Sequence, residues 1–396
     1  MVKRNTGSLS GNWEFFSPPT SSDYQNVSKS EHFYGVDMLR GIAAVAVLIW
    51  HYQHFFMGGS LLHGAPPPGM IVARSDQPLY SFLWPIYEHG YWAVQAFWII
   101  SGFVFAHVYA GRKVDGRKFA IARFARLYPL HLITLLVVTM AQFISKKLNG
   151  GFQIIGFNDL YHFFLNVFFV GGWGFHLGNS FNEPSWSVSI ELAIYAVFFF
   201  LAHRIFAFGI IIPLLFLGLG GAIMNQGTPL WLFGLCLFFF FEGVLTYYIL
   251  IKMRDRTPLL LAGCAVSLVF FAYVCLSGKF PKFAFHNIQS YLFIPILVVV
   301  ALCDFKGKFL SAIKKVKWLG DATYSMYMWH FPIQILILAL IQYFGISAEV
   351  FRSPAILICW VAGMIGLAVL SFHKIEKPLQ TWARVKLEQG FSQPDR

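Results

Sequence analysis

Charge is what this chain has least of. Only 12% of its 396 residues are Asp, Glu, Lys or Arg, against about a quarter in an ordinary soluble domain. Acidic residues are the scarcer sign, 18 against 30 Lys and Arg. With 57% hydrophobic residues and 44 phenylalanines, the chain cannot clothe a water-facing surface, which excludes a conventional soluble enzyme. Cysteine is also sparse: Cys236, Cys264, Cys275, Cys303 and Cys359 fall in or near apolar runs without metal spacing. They read as small packing residues, and no metal is expected. The net charge of +12 comes with no zinc-finger spacing or nucleic-acid module, so it points to anionic lipid or an anionic ligand instead of nucleic acid. No cleavable export signal is expected, because Lys3-Arg4 is followed by about thirty residues without an apolar core.

What is abundant is apolar sequence in membrane-length pieces. Runs near the roughly 20 residues needed to cross a bilayer lie at 35–56, 84–109, 127–145, 186–203, 205–224, 229–250, 258–277, 287–304, 321–344 and 354–373. The fold class is therefore all-α, a polytopic membrane protein with about ten transmembrane helices. The stretch 159–176 is interrupted by His162, Asn166 and Gly171-Gly172 and is expected to be re-entrant or interfacial on the outer side. That assignment puts 24 of the 30 Lys and Arg on the inner face, as the inward bias of basic residues requires. A cell-membrane protein with both termini cytoplasmic follows, divided into a flexible tail 1–30, a membrane domain 31–380 and a cytoplasmic tail 381–396. No large soluble domain is expected at either end. The connection 57–83, with Pro66-Pro67-Pro68, is expected to be stiff.

The first span carries Arg40 near its start and His51 eleven positions later. Ionisable residues inside a membrane helix usually mark a site. Eleven steps of 100° end about 20° past three full turns, so both side chains share a face, about 16 Å apart along the axis. The alternative is that Arg40 snorkels to headgroups while His51 bonds a neighbouring helix.

Five segments carry a more specific signal: YGVDMLRGIAAVAVLIWHY (34–52), GYWAVQAFWIISGFVFAHVY (90–109), RFARLYP (123–129), PSWSVSIELAIY (184–195) and LGDATYSMYMWHFPI (319–333). In this order they resemble the acyltransferase 3 family of integral membrane O-acyltransferases, across roughly 34–380. The resemblance implies transfer of an acyl group, commonly acetyl, from coenzyme A inside the cell to a hydroxyl on an extracytoplasmic or membrane-associated acceptor, usually a carbohydrate. It also implies that Arg40 and His51 are the essential pair. Departures from the family pattern stand at Ala93, Gln95 and Thr323. The hydrolase-like domain fused to some relatives is not expected.

Chemistry assigns expected roles to particular residues. His51 suits proton transfer, since imidazole titrates near operating pH; His54, one turn on, is the second choice. Asp37 is too far along the helix to orient His51, so a carboxylate partner has to come from elsewhere. Glu191, alone in an apolar run, is the candidate; it either bonds His51 or pairs with an arginine. Arg40, Arg123 and Arg126 suit the phosphates of acetyl-coenzyme A or another acyl-coenzyme A. Ser101, beside Gly102, either contacts the thioester arm or serves packing. Glu88, Trp186 and His330 are candidates for the acceptor site, against exposure for Glu88, interface anchoring for Trp186 and simple burial for His330. Expected partners are the acyl donor, a carbohydrate, glycolipid or other hydroxyl-bearing acceptor, and membrane lipids. A macrolide-like or lipid acceptor is one alternative; a secondary transporter without covalent chemistry, or a membrane scaffold, is another.

Overall fold

A computed structural model describes residues 32–56, 60–61, 74–109, 115–226, 229–278, 287–305, 307 and 314–390. The tail 1–30, the Pro66–Pro68 run, Arg112, Lys113 and Lys308 lie outside the described residues. The fold is all-α apart from one two-residue parallel pairing, Ser60 with Ile154 and Leu61 with Ile155. In chain order the helices are α1 (Tyr34–His51), α2 (Tyr80–His89), α3 (Trp92–Tyr109), α4 (Gly116–Asn149), α5 (Leu160–Val167), α6 (Ser185–Ala207) and α7 (Ile211–Met224). Then follow α8 (Trp231–Met253), α9 (Thr257–Ser277), α10 (Ser290–Phe305), α11 (Lys317–Asp321), α12 (Thr323–Tyr343), α13 (Pro354–Ser371) and α14 (Lys377–Gly390).

Among the described residues, six stretches are long and apolar enough to cross a membrane; one, Trp231–Ser277, contains both α8 and α9. Ser185–Leu201, Ile211–Met224 and Ser290–Phe305 are apolar but shorter. Length and composition thus support an all-α membrane protein without establishing ten spans. Three expected boundaries move. The run 84–109 breaks into α2 and α3 at Gly90, where a Cβ would lie 2.6 Å from Trp50 Cβ. The span placed at 127–145 is the later part of a 34-residue helix, about 51 Å long, whose start is capped by the Asp115 carboxylate accepting from the amides of Arg117 and Lys118. The boundary at 380 falls inside α14, which buries Ala383 and lies against α4, where Arg117 donates to the Glu388 carbonyl at 3.4 Å.

Stretch 159–176 forms only the eight-residue α5 before irregular backbone, too short to cross. Side chains hold that backbone in place of regular bonding. Asp159 and the Leu177 amide bracket the two ring nitrogens of His162, at 2.8 and 3.1 Å, and Asn158 accepts from the Phe181 amide at 2.8 Å.

Two prolines inside helices leave carbonyls four residues earlier without their helical donor, and each finds a side chain. Asn182 donates to Met328 O at 3.0 Å, opposite Pro332, and Ser267 donates to Tyr291 O at 3.0 Å, opposite Pro295. The closest helix contact is α3 against α8. A Cβ on Gly102 would lie 1.8 Å from Phe240 O, and one on Gly243 1.9 Å from Ile99 O, so only paired glycines admit this approach. The rim is apolar: α9 exposes Val266, Val269 and Leu276 while burying only Leu260 and Val274, as a lipid-facing helix should.

Candidate active site

Two chambers meet inside the bundle. The inner one, about 100 Å³, is lined by Arg40 of α1, Ser101 of α3, Arg123 and Arg126 of α4, and Glu191 of α6. The outer one, about 940 Å³, is lined by His51 at the end of α1, by Trp186 and by Glu183. Val94 of α3 and Tyr327 of α12 line both and stand between them. Because α1 is helical from Tyr34 to His51, its single face delivers Arg40 to one chamber and His51 to the other, about 16 Å along the axis.

In the inner chamber three guanidiniums share the lining with one carboxylate. Tyr195 donates to Glu191 Oε1 at 2.7 Å, Ser101 approaches the same carboxylate, and Arg40 and Arg126 act on it electrostatically. Arg40 also pairs with Asp37 at 3.7 Å. The Arg123 guanidinium lies over Phe105 and Tyr195, 5.1 and 5.9 Å from their ring centres. Its Nε is buried without a partner among the described residues. Such a surplus of fixed forked donors suits an anion with several oxygens.

At the outer chamber His51 Nδ1 lies 2.9 Å from Val47 O, one turn back. A carbonyl only accepts, so Nδ1 carries the proton in the neutral ring and Nε2 keeps a lone pair. Gln334 donates to the His51 carbonyl at 2.9 Å, fixing the end of α1 against α12. His330 and His54 pack edge-on to His51, with centroids at 4.7 and 5.1 Å. Both ring nitrogens of His330 are buried without a well-formed hydrogen bond among the described residues. Among those residues, no group of three or more His, Cys, Asp or Glu fits a metal ion.

The expected site residues thus divide. Arg40, Arg123, Arg126, Ser101 and Glu191 share one chamber; His51 and Trp186 share the other. Glu191 and His51 are not brought together: Glu191 shares its chamber with the arginines and is bonded by Tyr195, and a backbone carbonyl orients His51 instead. His330 stands behind His51, fully buried, outside the lining of either chamber. Glu88 lines neither and accepts from Tyr80 at 2.9 Å.

The family model Acyl_transf_3, described as an acyltransferase domain, matches residues 33–373. The chain belongs to the acyltransferase 3 family. As a member of that family it carries an acyltransferase domain. It is 24% identical over 403 residues to the peptidoglycan O-acetyltransferase OatA of Listeria monocytogenes, an alignment covering 90% of this chain and 57% of that protein. It is 32% identical over 167 residues to acyltransferase MdmB of Streptomyces mycarofaciens, covering 40% of this chain and 36% of that one. A third similarity, 32% over 127 residues, is to protein 2 in the picA locus of Rhizobium radiobacter, covering 31% of this chain and 52% of the other. Each alignment thus spans less than two thirds of the relative. No solved structure matches significantly.

Several residues of this acyltransferase escaped sequence reasoning. Glu183 lines the outer chamber, yet in sequence it reads as a loop residue before Pro184. Glu376, buried on the π-turn Phe372–Glu376, accepts from Ser325 at 2.6 Å; its sequence neighbours Lys374 and Lys377 gave it the look of a surface residue. For Asn182 a signal existed, since Pro332 announces a carbonyl in need of a donor.

Proposed function

We propose that this protein transfers a short acyl group, acetyl above all, from acyl-coenzyme A to a hydroxyl of a carbohydrate or glycolipid at the outer face of the cell membrane. The observation that carries the proposal is the pair of chambers, one arginine-rich and one histidine-bearing, with Val94 and Tyr327 lining both. The likeness to a protein named peptidoglycan O-acetyltransferase supports both the acetyl group and the sugar-type acceptor. Ten spans with cytoplasmic termini, the arrangement that the distribution of 24 of 30 basic residues favours, support an arginine chamber on the side where coenzyme A is made.

In this reading Arg40, Arg123 and Arg126 hold the donor phosphates at the inner mouth. The chamber is narrow, so an extended arm occupies it and brings the thioester to Val94 and Tyr327. The acceptor hydroxyl enters from the outer chamber. His51 Nε2 removes its proton, the oxygen bonds the acyl carbon, and the carbon–sulfur bond breaks. The proton on His51 then passes to the departing thiolate, so the products are an ester and free coenzyme A. Glu191 binds and spaces the arginines without touching His51.

The test is to incubate the reconstituted protein with isotope-labelled acetyl-coenzyme A and surface glycans and lipids, identifying products by mass spectrometry. Labelled ester that disappears in His51→Ala supports the proposal. Labelling of a macrolide-like or lipid hydroxyl would change the acceptor. Flux of an unmodified solute with no labelled product would replace the proposal by transport.

A further inference from the structure

The two chambers differ in charge. Three arginines line the inner one; among the described residues lining the outer one there is no Lys or Arg, and its carboxyl group is Glu183. Two of the described basic residues in other outer-side segments are engaged elsewhere. Arg352 pairs with Glu349 at 2.8 Å and Asp76 at 3.6 Å, and Lys146 lies over Phe152, 5.0 Å from the ring centre. Burial, then the neighbouring His162, pushes His176 below its ordinary value, which disfavours its cationic form. An anion entering here would shed water, find no Lys or Arg among the described lining residues and meet a carboxylate.

The rest of the wall suits an uncharged ring rich in hydroxyls. Trp92, itself stacked on His89 with centroids 4.4 Å apart, and Trp186, held edge-on by Trp98 at 6.0 Å, offer apolar faces for ring C–H groups. The Gln95 amide, assigned from its neighbours, points its nitrogen at the carbonyls of Trp92 at 3.0 Å and Tyr91 at 2.9 Å, which leaves its oxygen to accept. Asn179 donates to Glu183 Oε1 at 3.2 Å and so holds that carboxyl group in place. An apolar wall with a few placed acceptors is how proteins bind small polar rings.

We infer that the outer chamber takes an uncharged polyol ring, with Glu183 as the residue that selects it, and turns away rings that carry a carboxylate or phosphate. The inference rests on the acyl-transfer reading only for calling this chamber the acceptor side. Burial raises the Glu183 carboxyl group to about 7, so rejection of anions strengthens as it ionises above neutral pH. The other titratable groups lining the chamber are His51, His89, His176, Tyr91 and Tyr327.

The experiment measures binding apart from chemistry. Full-length protein in nanodiscs is titrated with p-nitrophenyl β-D-glucoside, the matching glucuronide and the glucoside 6-phosphate, following quenching of tryptophan fluorescence at pH 6 and pH 8. Expected at pH 8 is at least about tenfold tighter binding of the glucoside than of either anion, with a smaller ratio at pH 6. Glu183→Gln should keep glucoside binding and bring the ratio within about threefold at both pH values; Glu183→Lys should favour the anions. Thermal unfolding verifies that each variant is folded, and Glu183→Gln carries the test if the lysine variant is not. Equal or tighter binding of the anions at pH 8, an unchanged ratio in Glu183→Gln, or failure of all three glycosides to bind would each overturn the inference. Acyl transfer is assayed in parallel. Selective binding without transfer sinks the acyl-transfer reading alone, and transfer to some other hydroxyl without glycoside binding sinks this inference alone.

Discussion

Gly102→Ala is a sharp perturbation because its consequence can be worked from coordinates. The new methyl would begin 1.8 Å from Phe240 O, and 2.8 Å from Phe240 C, where ordinary contact starts near 3.4 Å. Those atoms are backbone, so no rotamer change relieves the clash, and α3 and α8 must part by about 1.6 Å, the difference between the two distances. Overpacking of this kind costs about 1–3 kcal/mol or more, enough to lower the melting temperature by several degrees, on the order of a few degrees per kcal/mol. The functional cost should be larger. α3 carries Val94 between the chambers and Ser101 in the inner chamber, and displacement of a reacting group by about 1 Å removes on the order of 100-fold in rate. Thermal unfolding in detergent and turnover of labelled acetyl-coenzyme A are the assays. Gly263→Ala on α9, where a Cβ meets nothing within 4 Å, is the control, and it should gain up to about 1 kcal/mol from helix propensity. Wild-type melting and turnover in Gly102→Ala would refute the reasoning.

His51→Ala should lower turnover by about 10²–10⁴-fold, the usual worth of a general base, while donor binding by calorimetry stays within twofold or so; near-normal turnover at equal membrane abundance rejects the assignment. Arg126→Ala should weaken donor binding by about tenfold or more through loss of a charge-assisted contact, and an unchanged donor titration curve would count against the inner chamber as the donor site. Glu183 predicts a pH-dependent stability. Burial lifts its folded-state value from 4.5 to about 7, so between those values the folded protein holds a proton the unfolded chain has released, and stability falls as pH rises through that window. Glu183→Gln should therefore melt like the wild type near pH 4.5 and be more stable at pH 8 by on the order of 1–3 kcal/mol, discounted for partial exposure; a difference that does not change with pH refutes the burial argument. In a cysteine-free background, single cysteines replacing Lys147 and Asn179 should label from outside and one replacing Lys308 should not; outside labelling at Lys308 would overturn the topology.

What the sequence determined by itself was whatever depends on composition and on local period. Scarce charge and long apolar runs required a helical membrane protein, and a fixed 100° per residue put Arg40 and His51 on one face of α1 before any tertiary contact was known. The RFAR segment likewise put Arg123 and Arg126 on one face of a helix because three residues make nearly one turn, and both line the inner chamber. Helix ends were less legible: the break falls at Gly90, which has Trp50 of another helix packed against it, and α14 continues past 380, where it rests on α4. Tertiary structure alone decided which distant groups meet. Glu191 lies 140 positions from His51 in the chain, and only the packing of α6 against α3 and α4 turns it toward the arginines instead. Glu183 becomes a wall of the outer chamber only because side chains such as Asn158 and His162 fold the irregular segment between α5 and α6 back over it. Periodicity reports the face a residue occupies on its own helix; the neighbour opposite that face is chosen by packing, to which no local pattern gives access.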